Sequence, residues 1–583
     1  MGALGLATTA ECLAPEHFDY VVIGGGTCGL TVANRLSETP GIRVAVIEAG
    51  GDERNNPNVT GVSGFGLGFN TAVDWQYETT AQVYANNQAI VYHAGKALGG
   101  TSTINGMTYI RAGKEEIDMW EESLGNKGWN WNNLYPYYLK SEGFSPPTEA
   151  QRAAGASFVD AYHGRQGPLD VSYPYGMLNG SFHSVVNDTW RQLGIPFNPD
   201  VNGGNLHGFS VWPQTLDREA NIREDAAMAY YYPISDRKNL VTYRGVVDRI
   251  LWDDKSSKGK KVVASGVQYV NSDGVTKTVL ATKEVIVSAG AVRSPAILEL
   301  SGIGNPQILH KYNIPTKVAL HSVGENAQDQ PNNAILFTTN QTLNGTAPYV
   351  TYATVQDLFG SETDAIAKKT ADSLNDWADQ TIQANEGVGD VAALKRLLKT
   401  QHDMIFTKGL SCVEILTSSS GHNMVSAFWI SFPFSRGSVH IRSSNPQDYP
   451  QINPNYFLVD WDVTLQTKIA ETAFQFWNTS PVHSMVVTQT SPPPETVPPN
   501  ATATQLTSWL KSSFSANHHL LGTAAMLPRE LGGVVDETLT VYGTENVRVI
   551  DASVLPIQVS GHLTSTLYAV SERAADIIKG VLE

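Results

Sequence analysis

The fold is decided by residues 19–50, DYVVIGGGTCGLTVANRLSETPGIRVAVIEAG, near the start of the chain. An apolar run at residues 20–23 leads directly into the glycine pattern GGGTCG at residues 24–29. A helical spacing of apolar residues follows, and a second apolar run then ends at Glu48. This order predicts a strand, a glycine turn, a helix and a second strand that ends in an acid, which is typical of a dinucleotide-binding unit.

Each key residue of this pattern has a physical role in such a unit. Gly24 makes the tight turn, Gly26 lets the backbone approach a pyrophosphate, and Gly29 lets the helix pack on the strand. The carboxylate of Glu48 can accept the hydroxyls of a ribose, and an acid here favours a free 2′-hydroxyl. The pattern therefore predicts FAD or NAD rather than NADP, with an ordinary strand-to-helix turn as the alternative.

The composition excludes several classes of protein. A chain of 583 residues is long for one hydrophobic core, so we expect two or more domains, which can interleave along the chain. Its hydrophobic fraction of 42% and charged fraction of 16% are those of an ordinary globular protein. The net charge of −16 argues against a nucleic-acid or anionic-membrane partner. No apolar stretch approaches the ~20 residues that span a bilayer.

Other features favour a secreted glycoprotein. The N-terminal residues lack the Lys or Arg of a signal peptide before Arg35 and can be the remnant of a trimmed one. The three cysteines allow at most one disulfide, and Cys28 in the glycine turn is predicted to be a free buried thiol. Seven N-glycosylation sequons are present, at Asn58, Asn179, Asn187, Asn340, Asn344, Asn478 and Asn500.

Two further glycine-rich segments can contact a cofactor. Residues 95–107, GKALGGTSTINGM, offer backbone N–H groups at residues 99–100 and three consecutive hydroxyls, so they can hold phosphate or the edge of a flavin. The alternative is a surface loop. Residues 290–304, GAVRSPAILELSGIG, follow a strand and predict a helix that opens at residues 294–295. Its N-terminus can bind an anion, although a simple crossover is equally consistent.

Histidines near the C-terminus are the candidates for acid–base chemistry. Asn517, His518 and His519 precede an apolar run, and His562 lies in SGHLTSTLYAV. Histidine exchanges protons near neutral pH, although an isolated histidine can equally be structural. His518 and His519 are adjacent and point apart, so no zinc site is predicted. Asp551 ends a strand-like run and can contact a cofactor or cap a helix.

Together these segments resemble the glucose–methanol–choline (GMC) family of flavoprotein oxidoreductases over nearly the whole chain. The first fingerprint, the loop at 95–107 and the segment at 290–304 resemble three of its motifs in order. A fourth, of the form VGxNxQDQ, is present as VGENAQDQ at residues 323–330, with Ala327 where leucine is usual. The resemblance is strong to the fungal FAD-dependent glucose dehydrogenases and glucose oxidases, for example at residues 522–536.

The resemblance implies an α/β fold, α+β overall, in which a Rossmann-like FAD-binding domain is interleaved with a substrate domain built on an antiparallel sheet with helices. It implies non-covalent FAD, oxygen or a quinone as electron acceptor, and a monomer or homodimer. The FAD-binding domain would comprise residues 15–60, 90–112, 235–315 and 520–583, and the substrate domain with its cap segments residues 61–89, 113–234 and 316–519. The implied cofactor-binding residues are Gly24, Gly26, Thr27, Cys28, Gly29, Glu48, Ala49, Gly95, Gly99, Gly100, Ser102, Asn105, Gly106, Met107, Val247, Ala289, His518, Asp551, Ala552, His562 and Leu563.

The resemblance also implies catalytic roles. His519 stands where the family has its catalytic base, which takes the hydroxyl proton while hydride leaves the carbinol carbon for flavin N5. His562 stands where the partner histidine or asparagine lies, and Glu414 matches an acid that orients it. A neutral imidazole near pH 7 suits the removal of the hydroxyl proton, and the flavin carries the redox step. The implied activity is the FAD-dependent oxidation of a CH–OH group.

One departure from the family concerns the substrate. Glucose-oxidising relatives usually place an arginine two residues before Asn517, and here that position is Ser515. A serine cannot replace the five donors of a guanidinium group. His518 also stands where an aromatic residue is usual. We therefore expect a small hydroxymethyl or lactol alcohol, with Ser515 and Asn517 as substrate residues. Glucose is the alternative substrate, and non-redox use of FAD, as in the hydroxynitrile lyases of this family, is a remote alternative.

Overall fold

The computed structural model of the chain describes residues 15–62, 65–178, 180–253, 261–498 and 500–582. Cys12 and the sequon at Asn179 lie outside these ranges. The strands are β1 (Glu16–Ile23), β2 (Val44–Glu48), β3 (Tyr77–Glu78), β4 (Val91–Tyr92), β5 (Glu142–Phe144), β6 (Leu169–Ser172), β7 (Gly208–Val211), β8 (Gln214–Asp217), β9 (Ile222–Arg223), β10 (Leu240–Trp252), β11 (Ala264–Asn271), β12 (Thr276–Val287), β13 (Ile303–Gly304), β14 (Val318–Ala319), β15 (Pro331–Leu343), β16 (Tyr349–Ala353), β17 (Val413–Ile430), β18 (Ser438–His440), β19 (Gln451–Asn453), β20 (Thr488–Ser491), β21 (Ser515–Ala516) and β22 (Val547–Val549). The α-helices are α1 (Thr27–Ser37), α2 (Pro57–Thr60), α3 (Lys114–Glu122), α4 (Trp131–Ser141), α5 (Glu149–Ala153), α6 (Phe182–Gln192), α7 (Ala226–Tyr230), α8 (Gly290–Leu300), α9 (Pro306–Lys311), α10 (Val355–Phe359), α11 (Thr363–Ala384), α12 (Val391–His402), α13 (Asp460–Trp477), α14 (Ala503–Ser513) and α15 (Leu563–Ile578).

The first large sheet contains the predicted dinucleotide-binding unit. Its strand order is β1-β2-β10-β11-β12-β22, and β1 also pairs with β12. Strand β1 runs parallel to both β2 and β12, and β2 runs parallel to β10. All of β2 is buried, as expected for a parallel strand that is covered on both faces. The predicted sequence of strand, glycine turn, helix and strand is confirmed.

This sheet is assembled from distant parts of the chain. Strands β1 and β2 come from the N-terminal region, β10 to β12 from the middle, and β22 from the C-terminal region. Helix α1 contacts β1 and β2 of this sheet and packs against α15, so the C-terminal helix lies against the N-terminal unit. The interleaved α/β architecture expected from the sequence is therefore confirmed, while the individual domain boundaries stay a prediction.

The second large sheet holds Glu414 and borders other residues of the candidate site. Its order is β20-β15-β17-β16-β7, and β21 pairs with β15. The pairs are antiparallel, and the start of β15 alternates buried and half-buried residues, which is typical of a sheet with one covered face. Gln330 immediately precedes β15, Glu414 lies at the start of β17, and Asn517 immediately follows β21. The register of this sheet therefore brings distant residues to one region.

Helix α8 begins earlier than the sequence predicts. The sequence places its start at residues 294–295, but the helix begins at Gly290 and Pro295 lies inside it. A proline has no N–H to donate to the carbonyl four residues earlier, which here belongs to Ala291. That carbonyl instead accepts a hydrogen bond from Thr523 Oγ1 at 2.7 Å. The prediction was wrong by four residues because a distant side chain satisfies the group that Pro295 leaves free.

Other secondary-structure predictions are confirmed with small shifts. The helical pattern between residues 355 and 405 forms α10, α11 and α12. The strand predicted at residues 547–551 ends two residues earlier, at Val549. In the ranges that the structure describes, no helix is long and apolar enough to cross a membrane.

Candidate active site

The first glycine turn forms an open cradle at the N-terminus of α1. Its N-cap is Gly26, and no side chain of the described residues caps the helix. Among those residues, a Cβ atom on Gly26 would come within 4 Å only of Gly100 Cα, at 3.6 Å. By contrast, a Cβ atom on Gly29 would lie 1.9 Å from the carbonyl oxygen of Gly24. The first-turn N–H groups thus border free space, which suits a phosphate group.

Glu48 lies at the end of β2 beside this turn. Its Oε2 accepts a hydrogen bond from Gly25 N at 2.7 Å, and its Oε1 accepts one from Gly50 N at 2.7 Å. Burial raises the pKa of Glu48, and the backbone donors of Gly50, Gly25 and Ala49 oppose that rise. Each carboxylate oxygen has a further lone pair, so Glu48 can still accept a ribose hydroxyl.

The second glycine-rich loop touches the first. A Cβ atom on Gly100 would lie 2.6 Å from Gly26 Cα, and one on Gly95 would lie 2.1 Å from Gly100 O. Only glycine permits these approaches. Ser102 Oγ donates to the carbonyl of Gly99 at 2.6 Å and accepts from Ala226 N at 2.9 Å, which closes the loop. The structure therefore brings together two segments that the sequence predicted separately as cofactor loops.

Arg223 holds this second loop in place through hydrogen bonds, a role that the sequence did not predict. Its guanidinium donates to Asn105 O at 2.8 Å and to Asn105 Oδ1 at 2.7 Å. Asn105 Oδ1 also accepts from Met107 N at 2.9 Å, and Met107 has a positive φ of 61°. Burial lowers the pKa of Arg223 to about 10. A single arginine outside any local motif could not be predicted from the sequence to bind this loop. Gly106 lies in the turn that Arg223 holds.

Asp551 holds the start of α8. Its Oδ2 accepts from Gly290 N at 2.9 Å and from Ser294 Oγ at 2.5 Å. Its Oδ1 accepts from the N–H and the hydroxyl of Ser553, at 2.8 and 2.5 Å, and so caps the short 3₁₀ turn Ala552–Val554. Protein donors use both carboxylate oxygens. The capping alternative therefore describes the side chain of Asp551, which shapes the backbone around a cofactor site.

The remaining predicted cofactor residues lie beside these loops. Thr27 and Cys28 are in the first turn of α1, and burial raises the pKa of the Cys28 thiol to about 12, so this thiol is unreactive. Val247 lies on β10, three residues beyond the residue that pairs with Glu48. Ala289 is the N-cap of α8, and Leu563 is the first residue of α15.

The two histidines expected to act in catalysis meet directly. Their ring centroids are 5.1 Å apart, with the ring planes at 83°. His519 follows β21 of the second sheet, whereas His562 is the N-cap of α15, which packs against α1 and α4. The fold therefore brings together two histidines from separate elements.

Three side chains hold His519 in place. Its backbone N–H donates to Asp329 Oδ1 at 2.8 Å, and its Nδ1 lies 2.8 Å from Gln330 Oε1. Asn517 Nδ2 donates to the same Gln330 oxygen at 2.9 Å. Burial, together with the nearby imidazoles of His562 and His518, lowers the pKa of His519 well below 6.5. A neutral imidazole at neutral pH can accept a proton.

His562 is held by Glu414. Nε2 of His562 lies 2.9 Å from Glu414 Oε1, and the Glu414 side chain is fully buried. A carboxylate accepts hydrogen bonds, so His562 donates from Nε2. The indole ring of Trp429 meets the His562 ring edge to face, with centroids 5.9 Å apart. The orientation of His562 is thereby set by one charged and one aromatic neighbour.

A row of rings leads from the solvent to His518, and the sequence reasoning missed it. Phe65, which is 63% exposed, meets Phe69 at a centroid distance of 5.6 Å. Phe69 stacks on His93 at 4.0 Å, and the backbone N–H of His93 donates to His518 Nδ1 at 3.2 Å. Burial and the neighbouring imidazole of His93 lower the pKa of His518 to about 4. The spacing of these rings matches no local motif, so only the folded chain shows the row.

Ser515 lies near the site but on its outer side. The serine is exposed, and its Oγ lies 3.5 Å from Asn332 O. Ser515 and Asn517 both contact Asn332, because Asn332 Nδ2 also donates to Asn517 Oδ1 at 3.1 Å. Within the described residues, no group of three or more His, Cys, Asp or Glu side chains is arranged to hold a metal ion.

Comparisons with known proteins agree with these features. Two family models, both described as GMC oxidoreductase, match residues 18–332 and 433–571. The chain is 49% identical over 569 residues to the glucose oxidase-like protein fsoC of Humicola fuscoatra, which covers 97% of this chain and 96% of that protein. It superposes with a TM-score of 0.86 on an FAD-dependent oxidoreductase from Chaetomium thermophilum, at 28% identity and with 97% of this chain and 99% of that chain covered.

A second solved structure extends the comparison. A fungal aryl-alcohol oxidase superposes with a TM-score of 0.85 at 25% identity, with 98% of this chain and 100% of that chain covered. The glycine cradle, Glu48 and the loop at residues 95–107 fit the FAD that such proteins use. The chain therefore belongs to the GMC oxidoreductase family, whose members are FAD-dependent flavoproteins that act on CH–OH groups.

Proposed function

We propose that this oxidoreductase acts on a small hydroxymethyl or lactol alcohol of fungal secondary metabolism, with His519 as the base. The ascladiol that fungal patulin synthase converts to patulin is an alcohol of this kind. The observation that carries the proposal is the exposed serine at position 515, which contacts Asn332 as Asn517 does. This position offers one hydroxyl where an arginine would offer five donors to a sugar.

The side chains around the site support this substrate class. Among the described residues, the hydrogen bonds that reach the His519, His562 and Asn517 side chains come from amides and carboxylates, not from Arg or Lys. The row of rings that ends at His518 presents flat, weakly polar surfaces. A planar alcohol can stack on such rings, whereas a polyol would leave several hydroxyls without partners.

The chemistry that we propose gives the two histidines different roles. FAD, when bound, supplies the acceptor for the two electrons that leave the alcohol carbon. Neutral His519 takes the hydroxyl proton, since its lowered pKa leaves a nitrogen lone pair free at neutral pH. His562, held by Glu414, lies close enough to His519 to contact the same substrate oxygen. Together they stabilise the negative charge that develops on this oxygen.

Glucose oxidation is the alternative function, and the similarity to a glucose oxidase-like protein favours it. Anaerobic mixing with a panel of alcohols distinguishes the two proposals, because bleaching of the oxidised flavin reports substrate oxidation directly. We expect furanic and aryl alcohols to bleach the flavin at lower concentrations than glucose. Comparable bleaching by millimolar glucose would favour the alternative, and no bleaching by any alcohol would favour a non-redox role of FAD.

A substitution at residue 515 tests the observation itself. Ser515→Arg should raise the rate of flavin reduction by aldoses relative to that by furanic alcohols. Ser512→Arg is the matched control, because Ser512 is also an exposed serine, on the nearby helix α14. An unchanged ratio in Ser515→Arg would show that this position does not set specificity.

We also propose that the protein is secreted and passes its electrons to oxygen. Four sequon asparagines are exposed, which supports glycosylation at Asn340, Asn344, Asn478 and Asn500. The names of the relatives fsoC and aryl-alcohol oxidase both contain oxidase, which supports oxygen as the acceptor. A mass decrease on treatment with an N-glycosidase and peroxide formation during turnover in air would test these two points.

A further inference from the structure

We propose that Gln330 is a positioning residue that decides which nitrogen of His519 carries the proton. The inference rests on the proposed role of His519 as the base. Gln330 is fully buried immediately before β15, and its side chain lies between Ser431 and His519. Neither of these contacts belongs to a motif that could be recognised in the sequence.

The orientation of the Gln330 amide is fixed on one side by a backbone carbonyl. The side-chain nitrogen of Gln330 lies 2.9 Å from Ser431 O. A carbonyl oxygen only accepts hydrogen bonds, so the NH₂ group of Gln330 must face Ser431. The amide oxygen Oε1 is consequently on the opposite side, where it faces His519.

This orientation selects the tautomer of His519. Gln330 Oε1 lies 2.8 Å from His519 Nδ1, and an amide oxygen can only accept. Nδ1 must therefore carry the hydrogen. A neutral imidazole has one N–H, so Nε2 keeps the lone pair that a base needs.

Asn517 gives the rival arrangement, and its contacts argue against it. Asn517 Nδ2 lies 3.0 Å from His519 Nδ1 and could donate to it if the proton were on Nε2. Gln330 Oε1 would then face a nitrogen lone pair at 2.8 Å with no hydrogen between them. Asn517 Nδ2 has another acceptor, because it lies 2.9 Å from Gln330 Oε1. The arrangement with the hydrogen on Nδ1 satisfies all three groups.

The proposed tautomer accounts for the proton during oxidation. His519 Nε2 would take the proton of the substrate hydroxyl, and FAD, when bound, would supply the acceptor for the hydride of the C–H bond, so that the alcohol would become a carbonyl compound. His519 then carries a positive charge, and its Nδ1–H still points at Gln330 Oε1. Asp329 meanwhile holds the backbone N–H of His519 at 2.8 Å, so the base keeps its position.

The direct test is the protonation pattern of His519 in the wild-type holoenzyme. Nitrogen-15 NMR of histidine-labelled protein, with His519 assigned by comparison with His519→Ala, distinguishes a protonated from an unprotonated ring nitrogen. We expect Nδ1 to be the protonated nitrogen and Nε2 the unprotonated one at pH 7. The reverse pattern, or fast exchange between the two, would overturn the proposal without any need for a variant at residue 330.

Two nearly isosteric variants test the consequence for the reaction. Gln330→Met removes the acceptor, so the rate constant of flavin reduction should fall by about 10-fold or more, as expected for a base in the wrong tautomer, with little change in KM. Gln330→Glu keeps an accepting oxygen and adds negative charge, which raises the pKa of His519. The acid limb of the kcat/KM profile should therefore move to higher pH in Gln330→Glu.

Gln328→Glu is the matched control. Gln328 is also a fully buried glutamine of the same segment, but its side chain contacts Asn326, Pro556 and Gln558 instead of His519. The acid limb should stay in place in this control. An unmoved limb in Gln330→Glu, with similar rate losses in all three variants, would show that Gln330 is only structural. Rapid flavin reduction in His519→Ala would instead refute the proposed function itself.

Discussion

His562 and Glu414 form a buried pair, with Nε2 of the histidine 2.9 Å from Oε1 of the glutamate and the glutamate side chain fully inaccessible to solvent. The pair joins two parts of the fold, because Glu414 lies on β17 of the second sheet and His562 precedes α15, which packs against α1. Glu414 also acts on Tyr352, which lies opposite it on the neighbouring strand β16. The pKa of Tyr352 is raised by burial first and by the charge of Glu414 second. Glu414 thus sets both the direction and the electrostatic environment of His562.

Replacing Glu414 should slow catalysis without releasing FAD. Glu414→Gln keeps the size and an acceptor but loses the charge, and we expect flavin reduction to slow by about 10-fold, as for loss of a charged hydrogen bond. Glu414→Leu removes the bond altogether and should be slower still. Stopped-flow reduction and the ratio of flavin to protein absorbance measure the two quantities. Equal rates in wild type and Glu414→Leu would remove Glu414 from the catalytic site.

Replacing His519 should separate chemistry from cofactor binding. His519→Ala removes the base, and flavin reduction should slow by about 10²-fold or more. The glycine cradle at Gly26 and the acid Glu48 lie on other segments, so FAD should remain bound. Reduction at a near wild-type rate in anaerobic stopped-flow experiments would contradict the assignment of His519 as the base.

A methyl group in the glycine cradle should weaken FAD binding while sparing the fold. Gly26→Ala places a Cβ atom no closer than 3.6 Å to the described protein atoms outside its own neighbours, so the protein itself can accommodate it. The same atom would occupy space that we assign to the pyrophosphate. We expect a lower flavin content after dilution, with an unchanged circular dichroism spectrum.

Two other glycines provide the controls for this experiment. In Gly176→Ala the new Cβ atom has no described neighbour within 4 Å, so neither folding nor flavin content should change. In Gly29→Ala it would lie 1.9 Å from Gly24 O, so folding itself should suffer. A Gly26→Ala protein that retains flavin as well as Gly176→Ala does would show that the pyrophosphate lies elsewhere.

The parts of this site that could be predicted are those formed by residues close together in the sequence. Strands β1 and β2 and the turn between them follow from apolar runs and glycines within about thirty residues, which is the length of such a unit. The pairing of His519 with His562 followed only from the resemblance, because no spacing rule joins residues on separate elements. Both histidines lie as expected relative to each other.

The parts that could not be predicted depend on contacts between distant residues. Arg223 supports the loop at Asn105 from 118 positions away, and Thr523 satisfies a carbonyl of α8 from 232 positions away. The orientation of the Gln330 amide is fixed by the carbonyl of Ser431, at a separation of 101 residues. None of these pairs alters a periodicity or a motif, so the sequence alone carries no sign of them.

A last prediction concerns stability at alkaline pH and rests on His440. Its Nδ1 lies 2.7 Å from Glu299 Oε1 on α8, and its Nε2 lies 3.0 Å from Glu325 Oε1. Burial alone would lower the pKa of His440, but the two glutamates outweigh it and raise this pKa to about 10. The folded protein therefore keeps a proton that the unfolded chain loses near pH 6.5. Stability from this cluster is complete below pH 6.5 and is lost as pH rises toward 10.

The loss should be of the order of a few kcal/mol in the free energy of unfolding across this range, at about 1.4 kcal/mol per pH unit. His440→Gln should be less stable at pH 7 but should show a shallower fall of the thermal midpoint between pH 7 and pH 10. His310→Gln, at an exposed histidine of α9, should follow the wild type. Parallel curves for wild type and His440→Gln would mean that His440 is neutral in the folded protein.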